Sequence, residues 1–484
     1  MWRKLHKRYS EIDTRLEAWW LKNKYILIVF GVAVYVRLIL GAFIKDFWHD
    51  EAFQYLYSLK PWFFIIAGND VHPPLYNLFT KLLVGWFGND IFMLRWVGAT
   101  VFSVMFILML FFLIKDIFNE RVAFWTALLV TVTPTYLLYS FEFRNYAFTL
   151  FFLMIQIYFF NKFLRFPGVG EFLGYVWFSV IILYSHYLTA LVILTQIVYL
   201  AILWRCNWIE KDDLRYYVIA YIAIAILCLP LAAYSYLMAI QVQSFWFKNI
   251  GLTSLFSTFL YLVSPPLLIP VGTATFIYGI IGYGLWKWRK QLTLDHLQFG
   301  LYVLLPITVM FIISQGVAFY HHRYFLFGGV GLFVLAGWAL TKIGERDVQA
   351  DACFFGFYCL LVLMAWGHGF GDQFTDTPIA NSVLFLENYT QNLNCDNDCI
   401  FLHTSQFSQT PYKVYLPQWR QYLITNFTKQ QRFTAGGSVI EDWEVYPNIS
   451  TVPKTNYTFW VSDHALMGEK IIYNEGGIYI QQIS

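Results

Sequence analysis

The sequence predicts a polytopic α-helical membrane protein with about eleven transmembrane helices and a small C-terminal α/β domain. Three observations predict it. Charged residues are only 13% of the chain and hydrophobic ones 58%, whereas soluble domains carry about 25% charge. The apolar residues collect in runs of about 17–25, the length that crosses a bilayer core as a helix. From about Gly369 the composition turns polar, with strand-like runs such as Ile400–Thr404 and Thr458–Ser462.

Residues 1–24 carry Arg3, Lys4, Lys7, Arg8, Arg15, Lys22 and Lys24 with Trp19 and Trp20, the composition of a cytoplasmic interfacial segment. No small-residue cleavage site follows the first apolar run, so that run is expected to stay as an anchor. The membrane domain is placed at residues 25–368, beginning with a span over Tyr25–Ile44 and an outer loop over 45–90. Lys60-Pro61-Trp62-Phe63-Phe64 in that loop reads as part of a surface-lying helix.

Spans then follow over Ile91–Ile114 and Val122–Tyr139, and a fourth ends near Leu164. The run Phe172–Trp204 is too long for one helix and is divided at Tyr184-Ser185-His186-Tyr187 into two short spans. Further spans are Tyr216–Met238, Pro265–Leu285, Phe299–Ile313, one ending near Leu340, and Cys353–Trp366; Leu252–Ser264 reads as interfacial. The positive-inside rule sets the orientation. With the N-terminus inside, Lys115/Arg121, Arg165, Arg205/Lys211/Arg215, Lys287/Arg289/Lys290 and Lys342/Arg346 all fall in the cytoplasm. The loops with Asp50/Glu51, Glu142/Arg144, His186 and His321–Arg323 fall outside, as does the domain at 369–484. The expected location is the plasma or inner membrane.

A net charge of +3 gives no reason to invoke nucleic acid. Cys206, Cys228, Cys353 and Cys359 lie in or beside apolar spans and read as free thiols. Cys395 and Cys399 frame Cys-Asp-Asn-Asp-Cys in a polar segment, where a tight disulfide is expected and a metal site is the alternative. The sequons at Asn388, Asn426, Asn448 and Asn456 all lie in the C-terminal domain.

Chemistry concentrates in the first outer loop, Asp46-Phe47-Trp48-His49-Asp50-Glu51, followed by Asp70-Val71-His72-Pro73-Pro74. A carboxylate at the membrane edge can take the proton from an acceptor hydroxyl during attack on a phosphate-activated sugar. Asp50 and Glu51 are adjacent, so on a helix they point about 100° apart; one serves as base and the other supports. The two prolines stiffen the backbone and fix His72 near the membrane. Arg95, Glu142, Arg144, Tyr146, His186, His322 and Arg323 lie at the same outer level. There the arginines either snorkel or bind a lipid-linked phosphate. Ligand spacings such as His-Glu-x-x-His are missing, so no metal is expected; a divalent ion held by Asp50, Glu51, His72, His186 and His321 is the alternative.

The order Trp48-His49-Asp50-Glu51-Ala52, Asp70-Val71-His72-Pro73-Pro74-Leu75, Leu94-Arg95 resembles the GT-C superfamily of membrane glycosyltransferases. The branch it is most similar to is the dolichyl-phosphate-mannose protein mannosyltransferases and their bacterial relatives. Ser140-x-Glu142-x-Arg144-x-Tyr146 and Tyr184-Ser185-His186 also resemble elements of the bacterial relatives. The resemblance covers roughly residues 20–340. It implies a polyprenyl-phosphate sugar as donor and a lipid, polysaccharide or protein as acceptor. It implies Asp50 as general base, Glu51 as its support, His72 shaping the site, and Arg95, Arg144 and Arg323 for the donor phosphate. Transfer would invert the anomeric carbon. The lumenal β-trefoil of the eukaryotic enzymes is not recognisable, which favours a lipid or polysaccharide acceptor. The competing class is a transporter or lipid-linked sugar flippase; charges clustered at one face without repeated halves weigh against it.

Overall fold

The computed structural model describes residues 22–39, 41, 46–67, 70, 72–241, 250–264, 270–316, 320–347, 349–365, 378–393, 399–425, 439, 444–453, 455, 457–463, 470–475 and 478–483. Most of the basic N-terminus, Cys395 and the sequons at Asn426 and Asn456 lie outside the described residues. Asn388 and Asn448 are exposed.

Helix α1 (22–39) buries one stripe, Val29, Ala33 and Arg37, at i, i+4 spacing, while Tyr35, Leu38 and Ile39 stay exposed. The loop after it folds into α2 (His49–Leu59), α3 (Trp62–Ala67) and α4 (Pro74–Phe87). Pro74 opens α4 at a position that needs no N–H. Next, α5 (Ile91–Arg95), a π turn (Trp96–Thr100) and α6 (Val101–Ile117) form one continuous 27-residue apolar helix. Asn119 caps α7 (Glu120–Val132), accepting from the amides of Arg121 and Val122 at 3.0 Å. Thr133 turns extended before Pro134, ending α7 and starting the short α8 (Pro134–Leu138). The expected span Val122–Tyr139 is therefore broken near its end.

Helix α9 (Asn145–Arg165) follows. The long run then divides at His186 into α10 (Val169–Ser185) and α11 (Ala190–Arg205), joined through a 3-10 turn at Tyr187–Thr189. The expected span Tyr216–Met238 is two helices, α12 (Lys211–Leu227) and α13 (Leu229–Gln241), bent by 52° at a break that precedes Pro230. Then come α14 (Leu252–Val263), α15 (Pro270–Lys287), α16 (Leu294–Ile313), α17 (Leu326–Gly344) and α18 (Ala350–Ala365). At the start of α16 the His296 ring accepts the Thr293 amide at 3.0 Å.

Among the described residues, five helices are long and apolar enough to cross a membrane, six if the bent pair counts as one span. They are Ile91–Ile117, Asn145–Arg165, Tyr187–Arg205, Leu294–Ile313 and His322–Gly344. Helix α7 stops before Pro134 and α10 stops at the polar tip at His186, which keeps both short.

Helix α17 runs through the middle of the bundle, and every residue from Leu326 to Thr341 is buried. Its glycines set the packing. A methyl group at Gly328 or Gly331 would run into the carbonyl oxygens of Tyr302 and Phe299 on α16. Between α9, α10, α11 and α16 lies a buried polar knot. Gln156 donates to Gln196 at 2.9 Å and to Ser179 at 3.1 Å, Tyr175 donates to Gln196 at 3.0 Å, and Gln196 and Gln298 both donate to the Tyr302 hydroxyl at 3.1 Å. Such side-chain bonds join helices where no water can serve them.

The C-terminal region is an α/β domain: α19 (Pro378–Leu393), β1 (Cys399–His403), α20 (Gln406–Tyr415), β2 (Arg420–Ile424), β3 (Val445–Tyr446), β4 (Tyr457–Ser462), β5 (Lys470–Glu475) and β6 (Ile478–Gln482). The sheet order is β3-β2-β1-β4-β6-β5, parallel from β3 to β4 and antiparallel at β6 and β5. Every β1 residue is buried, since Phe401 faces α19 and α20 while Ile400 and Leu402 meet Tyr422 and Trp460. Cys399, at the start of β1, is disulfide-bonded.

Candidate active site

The loop 46–90 folds back over the end of the bundle at which α1 finishes and α5, α9, α11 and α17 begin. Asp50 and Glu51 lie in the first turn of α2, where carboxylates suit the helix dipole. They point to different partners.

Glu51 is fully buried. Its two oxygens accept from Arg95 Nε at 2.9 Å and Arg95 Nη2 at 2.7 Å, and the Phe143 amide adds a third bond at 2.8 Å. Arg95 also donates to the Asp46 carbonyl at 2.8 Å, and its guanidinium lies over the Phe47 ring. This bidentate, closed pair joins α2, α5 and the segment before α9. Gly98 makes room for it, because a Cβ there would lie 2.8 Å from the Phe143 ring. The adjoining π turn leaves the Gly98 carbonyl to accept from Tyr76 at 3.2 Å. Arg95, a phosphate candidate from sequence, is thus committed to Glu51.

Asp50 faces the other way. Its Oδ2 accepts from Arg323 Nη1 at 3.0 Å, and its backbone carbonyl accepts from Arg144 Nη1 at 3.2 Å. The side chain keeps 18% exposure, enough for a substrate group to reach it. Burial pushes its pKa up, but Arg144, Arg323 and His49 outweigh burial and hold it below the ordinary carboxylate value.

Arg144 Nη2 donates to His72 Nε2 at 2.7 Å. A guanidinium has no acceptor, so His72 carries its proton on Nδ1. The His186 ring lies 5.8 Å from the His72 ring and 6.2 Å from the Tyr146 ring. His186 Nδ1 accepts the Leu188 amide at 3.2 Å, which puts the proton on Nε2. Burial, and then the neighbouring guanidiniums, hold His72 well below its usual pKa and His186 down at about 3, so both rings are neutral at pH 7. Arg144 Nε, Arg323 Nε, His186 Nε2 and the Tyr146 hydroxyl are buried without a hydrogen-bond partner among the described residues. All four can donate.

Asp50, His72, Arg144, Tyr146, His186 and Arg323 therefore converge. Glu142 is buried as well. His322 turns to α14, its Nδ1 lying 2.9 Å from the Thr258 hydroxyl, and the Tyr261 ring packs on it. Among the described residues, no group of three or more His, Cys, Asp and Glu is arranged to hold a metal.

Sequence reasoning missed Asp46 as a partner of the C-terminal domain. Its Oδ2 accepts the amides of Ile379 at 2.5 Å and Ala380 at 3.0 Å. Tyr415 accepts the Phe47 amide at 2.9 Å, and Phe407 packs on His49 with ring centroids 4.4 Å apart. These contacts join residues more than 300 positions apart, and no local pattern signals them.

A helical bundle whose breaks gather carboxylates and arginines at one end, roofed by a small α/β domain, is the GT-C architecture. Over 95% of this chain and 98% of the other, it matches the crystal structure of ArnT from Cupriavidus metallidurans bound to undecaprenyl phosphate, with a TM-score of 0.63 and 13% identity. It also matches the Archaeoglobus fulgidus oligosaccharyltransferase, solved in complex with Zn and sulfate, over 91% of this chain and 68% of that one, with a TM-score of 0.52 and 12% identity. The archaeal oligosaccharyltransferase AglB from the same organism, in complex with an inhibitory peptide and a dolichol-phosphate, matches with a TM-score of 0.50 and 11% identity, over 92% and 70%. No curated protein matches the chain in sequence. Residues 71–234 match the family model described as dolichyl-phosphate-mannose-protein mannosyltransferase. The chain thus has the fold of the GT-C membrane glycosyltransferases, and the family match over residues 71–234 agrees with it.

Proposed function

We propose that the protein transfers a sugar from a polyprenyl-phosphate donor to an acceptor at the outer, periplasmic or lumenal, membrane face, with Asp50 as general base. The observation that carries this reading is the set of four buried donors without partners, on Arg144, Arg323, His186 and Tyr146, surrounding one carboxylate. Two guanidiniums facing a single carboxylate leave capacity for a second anion, and a phosphate suits planar guanidinium donors. The bound lipid phosphates of the structurally similar proteins support the same chemistry.

In this reading the donor phosphate takes hydrogen bonds from Arg144 and Arg323 and draws Arg323 off Asp50. The freed carboxylate accepts the proton of the acceptor hydroxyl. The acceptor oxygen bonds to the anomeric carbon as the carbon–oxygen bond to phosphate breaks, with inversion. Polyprenyl phosphate leaves with its negative charge on the two arginines. Neutral His72 orients Arg144 without adding charge, and Glu51 holds α2 so that Asp50 faces the arginines. No step calls for a resident metal; a divalent ion beside Asp50 is the variant to exclude by chelation. The acceptor is a lipid or polysaccharide in this reading, since the C-terminal domain is a small α/β sheet.

The test offers a panel of radiolabelled polyprenyl-phosphate sugars to purified protein in nanodiscs, wild type beside Asp50→Asn. Asp50-dependent release from one donor supports the assignment and names the sugar. Wild-type protein that neither binds nor cleaves any donor would overturn it.

A further inference from the structure

Helix α19 begins with Pro378, which has no N–H, so the amides of Ile379 and Ala380 are the first that need an acceptor. Both are satisfied by one carboxylate oxygen of Asp46, across the domain boundary. The cap thus comes from the membrane domain, and its charge sits where the helix dipole favours an anion. Asp46 is buried, and its own carbonyl is held by Arg95, the residue that holds Glu51. The next residue, Phe47, donates its amide to Tyr415 of α20 and packs in one cluster with Ala52, Phe143 and Val414. The hydrogen bonds from the α/β domain at this point reach Asp46 and Phe47, both within four positions of Asp50.

We propose that Asp46 is a positioning residue that couples the seat of the C-terminal domain to the orientation of Asp50. The chain of contacts is α19 amides to Asp46 carboxylate, Asp46 carbonyl to Arg95, Arg95 to Glu51, and Glu51 through the first turn of α2 to Asp50. The proposal rests on the assignment of Asp50 as base. It gives the α/β domain a part in the reaction besides any contact with acceptor: while docked, it holds the catalytic carboxylate in register.

The experiment uses the full-length protein in nanodiscs and two readouts, hydrogen exchange and steady-state transfer. Asp46→Ala should speed exchange in α19 and in residues 46–59 together, and lower kcat about tenfold with donor KM nearly unchanged, as expected for a misplaced reacting group. Asp46→Asn keeps a capping oxygen and should recover most of the loss in both readouts. Tyr415→Phe, which removes the acceptor for the Phe47 amide, should shift both in the same direction by less. Faster exchange confined to α19 with kcat unchanged would reduce Asp46 to a structural cap and overturn the proposal, as would an Asn variant as impaired as the Ala variant. If the wild-type protein cleaves no donor, the function assignment fails, and the exchange pattern alone decides whether the two domains are coupled.

Discussion

Glu51 and Asp50 are neighbours on one helical turn, and their surroundings differ in kind. Around Glu51 both oxygens are used and the partner guanidinium is clamped. Around Asp50 one guanidinium pairs with the carboxylate and a second with the backbone carbonyl, and several buried donors go without partners among the described residues. A closed pair is architecture: it fixes how α2, α5 and the 140–144 segment meet, and it has nothing left to offer a ligand. An open cluster is costly to leave unmatched in a buried setting, so it marks the place where something else completes the bonding. Of two adjacent acids, the one with the unfinished network is the one to which the proposal gives the chemistry.

The sharpest break of this comparison is a pair of isosteric changes. Asp50→Asn should lower the rate of sugar release about 10³-fold while donor binding and the thermal midpoint stay near wild type. Glu51→Gln should act mainly on stability, destabilising the fold by about 3–5 kcal/mol because the Arg95 charge stays buried without its partner, with a rate loss far smaller than that of Asp50→Asn; thermal unfolding in detergent reads this. Equal loss of activity and stability in both variants would erase the distinction. Next in size, Arg144→Lys should weaken donor binding about tenfold by replacing a planar fork with a point charge, measured by titration with polyprenyl phosphate.

The smallest effect is in pH. His72 and His186 are held below their usual pKa, so the unfolded chain binds more protons than the folded one as pH falls through about 6.5. The thermal midpoint should therefore decline below that pH, and His186→Asn should flatten the decline. Asp50 has the same sign of linkage in a more acidic window, because the unfolded chain again binds the extra proton first. Its depressed value means that its ion pair with Arg323 persists above the ordinary carboxylate pKa and is lost only as pH falls through the lower one. The acid limb of kcat/KM should accordingly lie below about 3.9.

Much of this was legible in the sequence because it is local. Apolar runs gave the helices, the Asp-Glu pair on a helix gave two directions, and the polar tip at His186 gave one break, whereas the breaks at Pro134 and before Pro230 fell inside runs read as single spans. Charge placement put Arg144, His186 and Arg323 at one common level, and the geometry gathers them. What sequence could not reveal is pairing at long range. That Arg95 belongs to Glu51, that His322 faces Thr258 and that Asp46 caps α19 depends on which helices pack side by side. The number of spans is likewise blurred, because several apolar helices are shorter than a bilayer is thick.

Helix α17 carries a consequence for biosynthesis. In the finished protein its side chains meet other helices along nearly their whole length, yet its composition is as apolar as that of a segment meant for lipid. Packing alone would tolerate polar residues there, as the glutamine knot among its neighbours shows. Insertion would not, because each helix must first partition from the translocon into the bilayer before its partners arrive. The glycines that later let α16 close onto α17 then act at a second stage, when helices already in the membrane find each other. Replacing Gly331 by leucine would leave the first stage intact and stall the second, giving a protein that is inserted but not assembled.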